Sequence, residues 1–126
     1  EKHFIKCIRI LGEMATVKHE KTNWANTPIN SIVSILLPWH PQTLATVEKQ
    51  KVAMKILQEE TPTIAWKVIQ MLLPGATTST TGNNKPKYIV ADIPQVKVLK
   101  SQVAELYNYY SALAVDLAEK EYSKRE

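Results

Sequence analysis

Two stretches, TPINSIVSILLP (residues 27–38) and TPTIAWKVIQMLLP (residues 61–74), decide how this chain folds. Both open on Thr-Pro and close on Leu-Leu-Pro. A threonine oxygen accepts a hydrogen bond from an unpaired backbone N–H in a helix's first turn. Proline at the first helical position loses no bond there, because its missing N–H had no partner. A later proline ends the run, since it removes a donor and clashes with the preceding turn. Each stretch therefore predicts one helix with both ends marked. Asn30, Ser31 and Ser34 make one narrow polar stripe in the first, and Lys67 and Gln70 make one in the second; the rest is nearly all apolar. Helices of that kind are buried. The opening prolines lie 34 residues apart and the closing ones 36. Each buried helix follows a more amphipathic one, which is the pattern of stacked helical hairpins.

The amphipathic partners are legible by period. Phe4, Cys7, Ile8, Leu11, Met14 and Ala15 predict a helix over residues 4–17. Gly12 weakens it by up to about 1 kcal/mol relative to alanine. A charged helix is predicted from residue 42 or 43, capped by Gln42 or Thr43, to residue 60. It sets Leu44, Val47, Met54 and Leu57 on one side, with Glu48, Lys51, Lys55 and Glu59 spaced for exposed pairs. At the end of the chain Val96, Leu99, Val103, Leu106, Tyr110, Leu113 and Leu117 alternate spacings of three and four. That heptad seam predicts one long helix over residues 95–122, packed within the chain or against another. Residues 76–94 open with ATTSTTGNNKPK, too poor in apolar side chains to fold alone, and are expected to form a flexible loop. YIVADI (residues 88–93) favours β structure but is short. The expected fold is all-α: about five helices in a helical-hairpin, repeat-like array with a long C-terminal helix, forming a single domain over 1–126.

Composition narrows the function classes. A chain of 126 residues that is 44% hydrophobic and 22% charged is an ordinary globular domain with room for one core. No apolar run reaches the 18 or so residues of a membrane helix, and no signal peptide is visible in EKHFIKCIRILGEMA, so no membrane partner is expected. The chain begins at Glu1 without a Met, which reads as a piece of a larger protein. A single cysteine, Cys7, forms no internal disulfide and fits a reducing, cytoplasmic setting. The formal net charge of +4 is mild, and its lysines are not clustered as a nucleic-acid footprint would be.

Chemistry-bearing patterns are few. LLPWHPQT (residues 36–43) brackets Trp39 and His40 with prolines. Pro41 forces His40 out of the helical region, and Trp39 is expected to turn onto the core. Asn23, Trp24 and Asn26 form a similar turn before the cap at Thr27. The architectural reading of both turns is preferred; the sharper one makes them recognition surfaces with tryptophan anchors. His3 and Cys7 share a helix face, but two ligands do not make a metal site, so no metal and no cofactor is expected. Cys7 lies on the apolar stripe and is read as an inert core thiol. TTGNNKPK has one glycine and no following helix start, so it is no phosphate cradle. Lys85 and Lys87 there are candidates for backbone contacts to a nucleic acid. The carboxylates lie mostly on exposed faces of the third and fifth helices, with no convergent pair predicted.

Asn23-Trp24-Ala25-Asn26, Leu37-Pro38-Trp39, Pro41-Gln42-Thr43, Trp66-Lys67, Leu72-Leu73-Pro74 and Lys85-Pro86 together resemble a helical module of very large, mostly uncharacterised bacterial proteins. Some of those resemble antiviral-defence sensor NTPases or sirtuin-like effectors. The likeness covers about four-fifths of the chain; Tyr88 stands where the pattern has Trp. The resemblance implies scaffold or sensor work and transfers no catalytic residue. The expected function is a non-catalytic interaction module, not an enzyme, bound to other domains of its parent chain or to a protein partner. Its binding residues would be Asn23, Trp24, Asn26, Trp39, His40, Gln42, Lys85 and Lys87. The alternatives are a nucleic-acid-binding helical module using Lys85, Lys87 and the lysines of residues 42–60, and a small enzyme using His40.

Overall fold

The computed structural model of the protein describes residues 3–17, 27–40, 43–74 and 97–124. These residues form five helices and no strand: α1 (Phe4–Thr16), α2 (Pro28–Leu36), α3 (Val47–Glu60), α4 (Pro62–Leu72) and α5 (Lys100–Ser123). The all-α expectation, with its long last helix, is met. YIVADI lies outside the described residues.

Helix ends follow local chemistry. Thr27 Oγ1 accepts from Asn30 N–H at 3.2 Å and starts α2 beside Pro28, as its sequence predicts. α3 begins later than predicted, because Thr46 supplies the cap and accepts from Lys49 N–H at 3.4 Å. Thr43 instead holds the approach to the helix, accepting from Ala45 N–H at 3.4 Å. Leu44 is therefore off the helix and half exposed. Thr61 stands at the start of α4, yet its hydroxyl points backward and donates to the Leu57 carbonyl at 3.2 Å. One threonine thus closes α3 while Pro62 opens α4. The start of α5 is also later than predicted. Leu99 is extended, and its N–H donates to Gln102 Oε1 at 3.1 Å, which fixes the first turn at Lys100.

One core joins all five helices. Ile8 comes from α1; Ile32 and Leu36 from α2; Ala53, Met54 and Leu57 from α3; Ile64, Ala65, Val68, Ile69 and Leu72 from α4; Leu106, Tyr110 and Leu117 from α5. The two proline-bounded helices, α2 and α4, pack on each other, α1 packs on α2 and α3, and α5 lies across α3 and α4. The α5 seam thus packs within the chain from Leu106 to Leu117, while Leu99 is exposed. Between α3 and α5 the seam is bordered by Lys51 with Glu105 and Gln58 with Asp116. The Lys51 ammonium also pairs with Glu48 at 3.5 Å and stands 5.6 Å from the Tyr109 ring centre. The hydrogen bond to Glu105 pushes the Lys51 pKa above its ordinary value.

Two findings correct the reading of α1. Its buried arc is centred on Ile8 and Gly12, with Phe4, Ile5, Leu11 and Ala15 half buried. Cys7 and Met14 fall on the opposite side and are exposed, so Cys7 is not a core thiol. The helix presents two apolar arcs, and the apolar period alone did not separate them. Gly12 is no accident of composition. A Cβ there would lie 2.9 Å from Leu57 Cδ2 and 3.3 Å from Thr61 Oγ1, so the missing side chain lets α1 cross the end of α3 closely.

The bond between α5 and α2 is the longest-range polar contact described. Tyr110, fully buried, donates its hydroxyl to the Leu36 carbonyl at 3.1 Å. Leu36 ends α2, so its carbonyl has no helical partner. Burial pushes the Tyr110 pKa far above its ordinary value, with a smaller push from Tyr109.

Tyr110→Phe should cost about 1–2 kcal/mol in denaturant unfolding, since it strands a buried carbonyl. A group whose folded pKa is raised contributes stability that is complete below its unfolded value, near pH 10, and is lost as pH rises through the folded value. Unfolding midpoints should therefore fall above about pH 10 in the native chain, and more shallowly in Tyr110→Phe. At Gly12, alanine regains about 1 kcal/mol of helix propensity but overpacks a buried leucine by a similar amount or more. Gly12→Ala should end slightly destabilised and Gly12→Val should lose about 3 kcal/mol or more, as read by chemical denaturation.

Candidate interaction groove

Trp39 and His40 sit where the proline-bounded corner puts them. Pro38 is fully buried beneath the end of α2, and Trp39 is half buried against the core. The His40 ring is tilted 39° to the indole, with centroids 6.1 Å apart. Its Nε2 is buried without a hydrogen-bond partner among the described residues. No ion pair to His40 is described, and His40 does not line the groove described below. Asn23, Trp24, Asn26, Gln42, Lys85 and Lys87 lie outside the described residues, so the structure gathers only Trp39 and His40 of the eight expected binding residues.

A groove among the described residues lies elsewhere. α5 outruns its neighbours: 24 residues against 14 in α3 and 11 in α4. At about 1.5 Å per residue it is some 15 Å longer than α3. Its C-terminal half, with the α3–α4 corner, bounds an open groove of about 1350 Å³. That exceeds the several hundred Å³ of a typical small-ligand pocket and suits a polypeptide segment. Leu113, Leu117 and Tyr109 face it from α5, and Trp66 stands across from them on α4. Trp66 is 36% exposed and Tyr122, at the far end, is 68% exposed.

The groove is lined by charges of both signs. Asp116 takes an ion pair from Lys120 at 2.9 Å and a hydrogen bond from the Gln58 amide. The Lys120 bond holds the Asp116 carboxyl below its ordinary pKa. A general acid at neutral pH needs the opposite shift. Lys55, Glu59 and Glu119 line the same walls. No group of three or more His, Cys, Asp or Glu side chains that could hold a metal ion is present among the described residues, and none of the described helices is long and apolar enough to cross a membrane. Of the α3 lysines, Lys51 is engaged by two carboxylates.

Trp66 and Gln50 are the residues sequence reasoning missed. Trp66 shares its outward strip with Thr63, Lys67 and Gln70, all exposed, and Met71 beside it is 45% exposed. The register of Lys67 and Gln70 carried that signal, obscured by the general apolarity of α4. Gln50 falls on the core face of α3 and is buried; its Nε2 donates to the Ala45 carbonyl at 3.1 Å, while Oε1 has no partner among the described residues. A glutamine one turn before Ala53 and Met54 was the visible sign.

Comparison of the chain with protein-family models, with curated proteins and with solved structures found no match.

The two tryptophans should separate in thermal and denaturant melts. Trp39→Ala removes packing from the core and should cost about 2–3 kcal/mol, while Trp66→Ala should cost about 1 kcal/mol.

Proposed function

We propose that this chain is a non-catalytic helical interaction module of a larger bacterial protein, and that a segment of a neighbouring domain or a protein partner lies in the α4–α5 groove. The observation that carries this is the pair of exposed aromatic side chains, Trp66 and Tyr122, that line an open groove together with Leu113 and Leu117. Tryptophan and tyrosine are the side chains that most often anchor interfaces, since each covers a large area with few rotatable bonds. The fitting occupant is an amphipathic segment with apolar residues on one face. Charges of both signs at its border would meet Lys55 and Lys124 as well as Glu59 and Glu119. The resemblance of about four-fifths of the chain to modules of very large bacterial proteins supports a scaffold or sensor role, with defence as the setting of the parent. Cytoplasmic placement belongs to the same proposal. Neither a nucleic-acid reading nor a His40 enzyme is favoured by a described contact.

A photo-crosslinking amino acid in place of Tyr122, introduced in the source cell, tests the reading. A discrete cross-linked species should form and should drop several-fold in the Trp66→Ala background, while the melting temperature falls only by the roughly 4 °C that about 1 kcal/mol implies, leaving the chain folded at the growth temperature. Cross-linking that is diffuse, or indifferent to Trp66→Ala, overturns the groove as the contact surface.

A further inference from the structure

The walls of the α4–α5 groove carry three hydrogen-bond donors that the fold does not use. Trp66, Tyr109 and Tyr122 line it, and among the described residues neither the indole N–H nor either hydroxyl has a hydrogen-bond partner. Tyr110 shows the contrast one position on, since its hydroxyl is taken by the Leu36 carbonyl. Pro62, Leu113 and Leu117 add apolar surface to the same walls. A fitting occupant must therefore bring apolar groups and free acceptors on one face.

We propose that the groove binds a proline-rich segment of a partner protein in the polyproline II conformation. This rests on the reading of the groove as the contact surface. An occupant in α-helical form spends its carbonyls on its own N–H groups and leaves the three donors unmet. An occupant in β form needs a sheet edge to extend, and the described residues form no strand. A polyproline II segment makes no internal hydrogen bonds, so its carbonyls are free, and its prolines bring no N–H that would need an acceptor. Its three residues per turn set every third proline on one face, against the aromatic rings.

Length and charge agree. From Tyr109 to Tyr122 α5 runs roughly 20 Å at about 1.5 Å per residue, which roughly six residues of polyproline II cover at about 3.1 Å each. Lys55, Glu59, Glu119 and Lys124 line the groove with the aromatics, so the complementary segment carries charges of both signs between its prolines. The occupant is not a second copy of this chain. The one pair of prolines three positions apart in its sequence is Pro38 and Pro41, and Pro38 is fully buried. So short a segment buries less than the about 1,200 Å² of a stable interface, which places the dissociation constant on the order of 0.1 mM.

The test is an NMR titration of the isotope-labelled 126-residue chain with a peptide of two Pro-Lys-Pro-Pro-Glu-Pro repeats, beside an amphipathic helical peptide of equal length. The proline peptide should shift the Trp66 indole N–H and the amides of Leu113 and Tyr122, saturate by about 1 mM, and leave the Trp39 indole still. Trp66→Phe, Tyr109→Phe and Tyr122→Phe keep a ring and remove a donor. Each should weaken binding about fivefold at an unchanged melting temperature, and the three together should bring it below detection. Native-strength binding by the triple variant overturns the proposal, as do groove resonances that ignore the proline peptide. If the Tyr122 cross-link is specific while the proline peptide fails, or if the helical peptide alone binds, the polyproline occupant falls and the groove remains the contact surface. If the cross-link is diffuse and neither peptide binds, both fall.

Discussion

The hydrogen bond from Tyr110 to the Leu36 carbonyl is the contact on which the arrangement of helices depends. Pro38 ends α2 inside the protein and leaves a carbonyl with no helical partner at a buried position. A buried peptide oxygen without a donor is expensive, so something must reach it. The phenol does, and in doing so fixes α5 against the end of α2 as well as along α3 and α4. A phenylalanine would fill the same volume and leave the oxygen bare. The carbonyl left bare at the end of one helix and the side chain in another, 74 positions later, form one structural decision.

Once α5 is placed, its surplus length bounds the groove beside α3 and α4. The first half of the helix is matched by α3, with Lys51 bridging to Glu105. Near Asp116 the matching ends, because α3 has already turned at Thr61 into α4. The last turns of α5 stand beyond the packed layer, with Tyr122 in solvent. The groove is therefore what remains when a 24-residue helix is laid on a shorter hairpin. Its aromatic rim follows from Trp66, whose register on α4 faces the same gap.

Much of this was legible in the sequence. Thr27-Pro28 and Thr61-Pro62 marked helix starts, and Pro38 and Pro74 marked stops, because cap and proline effects act within a few residues. The seam of Val103, Leu106, Tyr110, Leu113 and Leu117 was readable for the same reason: period is local. What escaped depends on who the neighbours are. Residues Cys7 and Met14 fit the apolar period of α1 as well as Ile8 and Leu11 do, and only the crossing at Gly12 shows which arc faces inward. The cap moved from Thr43 to Thr46 because two threonines competed and the backbone chose the later. Trp66 was concealed within a helix that looked apolar all round. Of the expected binding residues, Trp39 proved to pack on the core, which agrees with the architectural reading of that corner.

The distance along the chain between Tyr110 and Leu36 also bears on how the protein acquires its shape. α3 and α4 are joined at a single residue, so their mutual packing closes a very short loop. Bringing α5 home closes a far longer one, and the entropy of closure grows with length. Contacts between near neighbours form fast and distant ones wait for them. The last helix is thus the late arrival, latching onto an already assembled platform. Until it arrives, Met54, Leu57 and Val68 lack part of their cover, and a nascent chain is at its stickiest in that interval.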